Sequence, residues 1–578
     1  MTGAVGAAAQ GLVRLPVWRA RFVLAALVIG FAALVLRAVY LQAVKTDFLQ
    51  EKGDARYSRV LEVPATRGRV FDRNGEALAV STPVKSIWAI PSDVQLKSAQ
   101  KRKLASLLGM TTSELDKKLA DPARDFVYLK RQLPPDAAEA IIELGLHGVY
   151  DQREFRRYYP AGEVTAHLIG FTGVDDSGQE GVELAHQDAL GGRAGSRRVI
   201  KDRLGRIVED VQSIRAAQDG KDLTLAIDSK IQSLAYSALK SAVVASKAKA
   251  GALIALDVHT GEVLALANVP SFNPNNRTRL SGAQLRNRVI TDLFEPGSTL
   301  KPFTIALALE SGKVAPQTIV PTAPGRLTIA KYTIRDVHPA AALTVAQVIQ
   351  KSSNVGAAKI ALSMPREGMW DFFHRVGFGT APQLGFPGAA AGKLRPYKTW
   401  KPVEQATMSY GHGISLSLIQ LARAYSIFAT DGELVPLTLV KSDAAATGER
   451  IVSPQTARAV RAMLELAVQP GGTGPRARIM GWRVAGKTGT AHKQENGGYA
   501  AHKYIASFVG LAPVSAPRVV VAVMIDEPAA PHYYGGDVAA PVFAQTMQGT
   551  LRLLGVPHDA PLEPIEMPSD ADVAGEST

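Results

Sequence analysis

Glu295-Pro296-Gly297-Ser298-Thr299-Leu300-Lys301-Pro302 is the stretch on which the reading of this chain turns. Side chains three apart share a helix face, so the Lys301 amine is expected beside the Ser298 hydroxyl. A serine hydroxyl is a weak nucleophile until a base takes its proton. Lysine can be that base where burial and cationic neighbours favour its neutral form. Pro296-Gly297 before Ser298 and the apolar run after it place the serine near a helix N-terminus, where the backbone dipole favours negative charge. Pro302 is comfortable only in a first turn, so the helix must begin at or beside Ser298, or kink there. Alone the pattern says little. The same spacing recurs at Ser98–Lys101, Ser237–Lys240 and Ser246–Lys249, which read as solvated helix surfaces.

Two further strings give it company. Ser352-Ser353-Asn354 follows a helical stretch ending near Lys351 and reads as a short interhelical turn. A hydroxyl and an amide there could pass a proton and fix a substrate amide. Ser and Asn also favour turns for ordinary reasons, and Ser271-Phe272-Asn273 is read that way. Lys487-Thr488-Gly489-Thr490 lies in a β-prone run from Trp482 to Ala491. Strand alternation puts Lys487 and Gly489 on one face and Thr488 and Thr490 on the other. Gly489 admits close approach of another backbone, and Lys487 supplies positive charge. The plain alternative is an edge-strand lysine beside a bulge. Ser-x-x-Lys, Ser-x-Asn and Lys-Thr-Gly in this order form a known signature of serine β-lactamases and penicillin-binding proteins.

The chain has 578 residues, enough for two or three domains, and 46% are hydrophobic. A net charge of +14 suits an anionic membrane surface or polymer. No zinc-finger spacing, RNA-binding signature or concentrated basic helix supports nucleic acid as a partner. With no cysteine, disulfides, thiolate metal sites and a cysteine nucleophile are excluded.

Phe22 to Leu36 carries no charge but falls short of the ~30 Å hydrocarbon layer. Continuing to Val44 makes it long enough, with Arg37 snorkelling and Tyr40 at the interface. No small-x-small cleavage site follows cleanly, so a retained anchor is expected rather than a cleaved signal. Arg14, Arg19 and Arg21 precede the span and predict a cytoplasmic N-terminus. The expected division is a cytoplasmic tail at 1–21, an anchor at 22–44, a β-rich pedestal at 46–215, a catalytic domain at 220–557 and a disordered tail at 558–578.

Within the pedestal, Asp72-Arg73-Asn74-Gly75 is a turn between two β-prone runs, and 98–119 and 135–144 are predicted helical. Gly181 to Gly195 reads as a Gly-rich stretch around a short helix. In the catalytic domain, Ser229–Ala248 is predicted helical. Ala252–Val258 and Glu262–Asn268 flank a His259-Thr260-Gly261 hairpin. Capping boxes are expected at Thr344/Gln347 and Ser417/Gln420. Trp370 and Phe373 lie three apart, suggesting a core-facing helix stopped by Gly377. Gly481–Ala491, Tyr504–Leu511 and Arg518–Ile525 are β-prone. Strands at both ends of the domain with helices between predict an α+β fold whose sheet joins its two ends.

At these residues the chain resembles the class B penicillin-binding proteins, and within them the division-specific septal peptidoglycan transpeptidases. The likeness spans nearly the whole chain. It includes Arg67-Gly68 with Asp72-Arg73-Asn74-Gly75, Arg157-Tyr158-Tyr159-Pro160, and the glycine pattern from Gly170 to Glu183. It continues through Glu295–Ser298, Lys351–Gly356, Tyr410-Gly411-His412-Gly413, Ala485–Thr490, Lys503–Pro513 and Tyr533-Tyr534-Gly535-Gly536. Ser417-Leu418 departs from the Thr-Pro expected there.

The resemblance implies one anchor helix, a pedestal of the dimerisation type, and a transpeptidase domain with an antiparallel sheet of about five strands flanked by helices. It implies that Ser298 attacks the D-Ala–D-Ala carbonyl of a peptidoglycan stem peptide with Lys301 as base. Ser352 helps the terminal D-Ala leave, and an acceptor amine resolves the acyl-enzyme. Asn354 positions the donor. Lys487, Thr488 and Thr490 hold the terminal carboxylate beside Gly489, and the N–H groups of Ser298 and Thr490 form the oxyanion hole. β-Lactams would acylate Ser298, and no metal or organic cofactor is implied. Implied partners are a polytopic lipid II glycosyltransferase and other division proteins at the inner membrane, with the catalytic domain periplasmic. The competing readings are an elongation-specific sister enzyme, a D,D-carboxypeptidase or β-lactamase, a β-lactam sensor, and a non-catalytic division scaffold.

Overall fold

The computed structural model describes residues 16–45, 58–201, 207–442, 444–495, 498–529, 531–563 and 565. Its first element is a helix, Val17–Val39, that widens into a π-helical turn at Tyr40–Val44. Val17–Ala43 is long and apolar enough to cross a membrane, and none of its hydrophobic window is buried.

Beyond it the chain packs as two compact units. The first takes in Ser86–Gln152 and Ala194–Gln218. There Ser58–Val63, Gly195–Lys201 and Ile207–Arg215 form an antiparallel three-stranded sheet. Helices Ser98–Leu108, Thr112–Leu119 and Pro135–Ile142 close a small core around Ile87, Leu104, Leu129 and Ile141. The single helix expected over 98–119 is two, because Gly109 adopts φ +64° and stops the first. Thr111 and Glu114 then cap the second.

The second unit holds residues 65–85, 153–193 and everything from Asp219 onward. Buried charge fastens its early segments. Glu183 accepts from Arg67 Nε and Arg157 Nε, both at 2.6 Å, and its side chain is fully buried. The Asp72–Gly75 turn docks on the following helix: Asp72 Oδ2 accepts from Ser229 N (3.1 Å), and Asn74 Nδ2 donates to Asp228 Oδ2 (2.9 Å). Asp228 in turn caps that helix, Ser229–Ala245 (α1), accepting from Lys230 N and Ile231 N.

The catalytic frame follows in order: β1 (Ala250–Asp257), β2 (Val263–Val269), α2 (Lys301–Glu310), β3 (Arg326–Ile329), β4 (Tyr332–Arg335), α3 (Val345–Gln350), α4 (Asn354–Leu362) and α5 (Leu418–Ala429). Then come β5 (Ala485–Glu495), β6 (Gly498–Ala512), β7 (Val519–Asp526) and α6 (Ala540–Leu553). The strands form one antiparallel sheet in the order β2-β1-β7-β6-β5, so its two sequence ends do meet. Alternation gives it two apolar faces. Ile254, Leu256, Ala522, Val509 and Leu511 join the core around α2 and α5. Leu253, Ala255, Val521, Val523 and Phe508 join the core under α1 and α6. A sheet covered on both sides explains why β1 and β7 read as unbroken hydrophobic runs.

Both expected capping boxes form, at Thr344/Gln347 and Ser417/Gln420. Two local expectations need correction, those for Ser246 and for the C-terminal tail. Ser246 is not on a solvated helix surface: α1 ends at Ala245, and Ser246 is buried with Oγ donating to Ala242 O (2.6 Å). The core-facing helix expected before Gly377 forms as Arg366–Arg375, with Phe372 and Phe373 in the core and half-buried Trp370 packed against it and stacked on His374. The supposed tail is ordered at its start. The His558 ring lies 4.0 Å from that of Trp482, and Asp559 accepts from Arg483 N (2.7 Å).

Replacing Glu183 by Ala strands two buried guanidinium groups and is expected to cost about 3–5 kcal/mol. Lys240→Ala breaks the exposed Lys240–Glu163 pair and should cost less than about 1 kcal/mol. Denaturant midpoints of the two variants should differ accordingly, and equal losses would refute the assignment.

Candidate active site

The residues before α2 form a 3₁₀ turn, Gly297–Leu300, and α2 begins at Lys301 with Pro302 in its first turn. Pro302 therefore disturbs no helix hydrogen bond. Close packing holds the turn. Gly411 (φ +91°) approaches so nearly that a Cβ there would meet Gly297 O at 2.0 Å. Tyr425 of α5 donates to Thr299 O (2.7 Å), and Thr304 of α2 to Ser409 O (2.9 Å).

This geometry delivers the expected pair. Lys301 Nζ, fully buried, donates to Ser298 Oγ at 2.9 Å and to Ser352 Oγ at 2.8 Å. Ser352 O also accepts from the amine. Ser352 reaches it from the turn between α3 and α4 with φ +57°, a left-handed conformation that a serine rarely adopts. The next residue caps α4, with Ser353 Oγ accepting from Gly356 N (2.9 Å). Asn354 Nδ2 donates to Arg335 O (3.1 Å), while its Oδ1 is buried with no hydrogen-bond partner among the described residues. That orphaned acceptor fits an incoming amide N–H.

Lys487 and Thr488 form a second group on β5. Lys487 Nζ lies 3.1 Å from Thr488 Oγ1 and 3.3 Å from Thr473 Oγ1, and the two threonine hydroxyls are 2.8 Å apart. The strand alternates as expected. Gly489 faces the serine's turn, where a Cβ would meet Pro296 O at 2.8 Å. Thr490 Oγ1 accepts from Gly535 N (3.1 Å).

Three features of the site were not read from the sequence. Thr473 lies in a Gly471-Gly472-Thr473-Gly474 loop, a string whose glycines signal close backbone approach but not to what. Asp336 accepts from Ser353 Oγ (2.7 Å) and Val355 N (2.9 Å), fixing the Ser352–Asn354 turn. Glu295 accepts from Gly413 N (2.7 Å), Gln494 Nε2 (2.7 Å) and Tyr499 OH (2.9 Å), tying the serine's turn to β5 and β6. Burial raises the Glu295 carboxyl above its ordinary range. His412 packs between Tyr410 and Tyr499. Burial, then the His492 and Lys301 charges, hold it down to about 4.

Residues 251–548 match the family model described as the penicillin binding protein transpeptidase domain. The chain belongs to the class B penicillin-binding proteins. Residues 62–225 match the penicillin-binding protein dimerisation domain. This class B chain is 46% identical to the probable peptidoglycan D,D-transpeptidase PenA of Neisseria gonorrhoeae over 94% of each chain. It is 43% identical to the peptidoglycan D,D-transpeptidase FtsI of Escherichia coli, over 94% of this chain and 93% of that one. The apo transpeptidase domain of Burkholderia pseudomallei penicillin-binding protein 3 matches with TM-score 0.54 and 52% identity. That match covers 58% of this chain and 98% of the other.

His412 and the buried His167, also held to about 4, bind fewer protons folded than unfolded between the usual histidine pKa and pH 4. Stability is therefore lost as pH falls through that window, by on the order of 3 kcal/mol per histidine. Raised carboxyls such as Glu295 act oppositely, so a difference isolates the ring. His412→Phe should lose less stability than the parent between pH 7 and pH 4.5 in urea unfolding. Identical losses would contradict the assignment.

Proposed function

We propose that this protein is a membrane-anchored peptidoglycan D,D-transpeptidase that works through a Ser298 acyl-enzyme. The observation that carries the reading is the buried Lys301 amine donating to both the Ser298 and Ser352 hydroxyls. One base thus serves the nucleophile and a second hydroxyl that can relay its proton.

In the acylation step the Ser298 Oγ–C bond forms at the carbonyl of the penultimate D-Ala, and the serine proton passes to Lys301. Ser298 and Thr490 N–H groups receive the developing oxyanion. The peptide C–N bond then breaks, and the terminal D-Ala leaves as an amine with the proton relayed through Ser352. In the second step an acceptor amine attacks the ester, gives its proton back along the same route, and releases Ser298 as the cross-link forms. Asn354 Oδ1 accepts a donor amide N–H. Lys487, Thr488 and Thr490 hold the terminal carboxylate, and Gly489 lets β5 pack directly against the Ser298 turn. β-Lactams present an amide of the same placement and acylate Ser298 in the same way.

Arg19 and Arg21 at the start of the apolar helix support a cytoplasmic N-terminus and a periplasmic catalytic unit. The septal resemblance supports work in cell division beside a polytopic lipid II glycosyltransferase.

Intact-mass spectrometry of the full chain in detergent after incubation with a penicillin tests the nucleophile. One stable adduct mapping to Ser298 and lost in Ser298→Ala is expected. Lys301→Ala should acylate slower by roughly 10²–10⁴. A well-folded protein that takes up no penicillin would overturn the reading.

A further inference from the structure

Residues 311–360 carry six cations, Lys313, Arg326, Lys331, Arg335, Lys351 and Lys359, and a single carboxylate, Asp336. Asp336 is committed to Ser353 and Val355. Among the described residues none of the six cations forms an ion pair. Lys351 and Lys359 donate instead to the carbonyls of Gly471 and Pro321.

The hairpin β3–β4 concentrates this charge. Its register pairs Arg326 with Arg335 and Thr328 with Thr333. Residues two apart share a strand face, so both pairs lie on one face of the hairpin, and Arg326, Arg335, Thr328 and Thr333 are all exposed. The opposite face packs down: Ile334 is buried against Val355, Ala358, Ala406 and Tyr410, with Leu327 and Ile329 alongside. Two arginines directly across a strand pair repel one another. The arrangement becomes favourable when an anion sits between them, because two guanidinium forks can share one carboxylate. The threonine hydroxyls, 3.0 Å apart, extend the same row with donors.

This face is joined to the chemistry. Arg335 O holds the Asn354 amide, and Asp336 accepts from Ser353 Oγ and Val355 N on either side of it. The hairpin therefore stands on the Ser-x-Asn side of the site, opposite β5.

We propose that the Arg326–Arg335 face binds carboxylates of the acceptor stem peptide, the strand whose amine resolves the acyl-enzyme. The assignment rests on the transpeptidase reading above. With the donor held along Lys487–Thr490, the second strand enters from the wall that carries Ser352 and Asn354. A carboxylate clamp there selects a peptidoglycan amine over water and over uncharged amines.

The test uses the full chain in detergent, a thioester donor that acylates Ser298, and a stem tripeptide acceptor bearing an amine and free carboxylates. Its partner probe is the same tripeptide with the carboxylates amidated. In the double variant Arg326→Gln/Arg335→Gln, the KM for the carboxylate acceptor is expected to rise at least tenfold. kcat, penicillin acylation and the amidated acceptor's KM should stay within twofold. Arg326→Lys/Arg335→Lys should recover part of the binding, and added salt should raise the parent's KM towards the variant's.

An unchanged acceptor KM would overturn the proposal. So would an equal fall in penicillin acylation, which would mean that the hairpin only props the catalytic turn. Unaltered acceptor kinetics with weaker retention on anionic-lipid vesicles would assign the patch to a membrane surface and overturn it too. A parent protein that penicillin fails to acylate would instead strike at the transpeptidase reading itself.

Discussion

A single amine organises this molecule. Lys301 sits fully buried with the hydroxyls of Ser298 and Ser352 within 2.9 Å, and three separated segments must be held to tenths of an ångström for that to happen. The serine's turn is pinned by Gly411 behind it and by Tyr425 and Thr304 on the helical side. The Ser352 turn, left-handed at Ser352, is braced by Asp336, which accepts from both the following hydroxyl, Ser353, and Val355 N in the first turn of α4. The strand β5 is drawn against the Ser298 turn because position 489 has no side chain. Burial of an amine is costly unless its donors are met. The same contacts that ready the serine therefore also make the buried lysine tolerable.

The parts of this arrangement legible in the sequence were those set by local rules. Ser298 and Lys301 share a face because of helical spacing. The faces of Lys487 to Thr490 follow from strand alternation, and the capping boxes at Thr344 and Ser417 announce themselves. The five strands were found as apolar runs, although β5 and β6 extend further into their shared hairpin than the apolar pattern reaches. His492, Gln494 and Glu495 continue that ladder against Tyr504, Tyr499 and Gly498 without an apolar run to announce it. Thr473, Asp336 and the Glu295–Tyr499 bond were silent because each acts on a partner brought close only by tertiary packing. Ser246 misled for the opposite reason: its spacing to Lys249 looked helical, but α1 had already ended.

Charge is handled in two ways in the second unit. Arg67 and Arg157 are buried and bound to one carboxylate, so they specify how early segments meet later ones. The cations around β3–β4 form no ion pair among the described residues, and so act at a distance on whatever approaches the Ser-x-Asn side. A net charge read from composition cannot separate these roles; position relative to solvent does.

The strand that carries Lys487 is also the last in its sheet. A terminal strand offers unpaired backbone groups to any extended chain, a hazard that proteins usually blunt with lysines and bulges. β5 has both: Lys487 and Lys493, and a break in register between His492 and Gln494. The surface that must welcome one peptide is thus the surface that must refuse all others, including copies of itself. Catalytic function and solubility depend on the same few residues. A substitution that made the strand smoother and more apolar would exchange a substrate groove for a site of self-association.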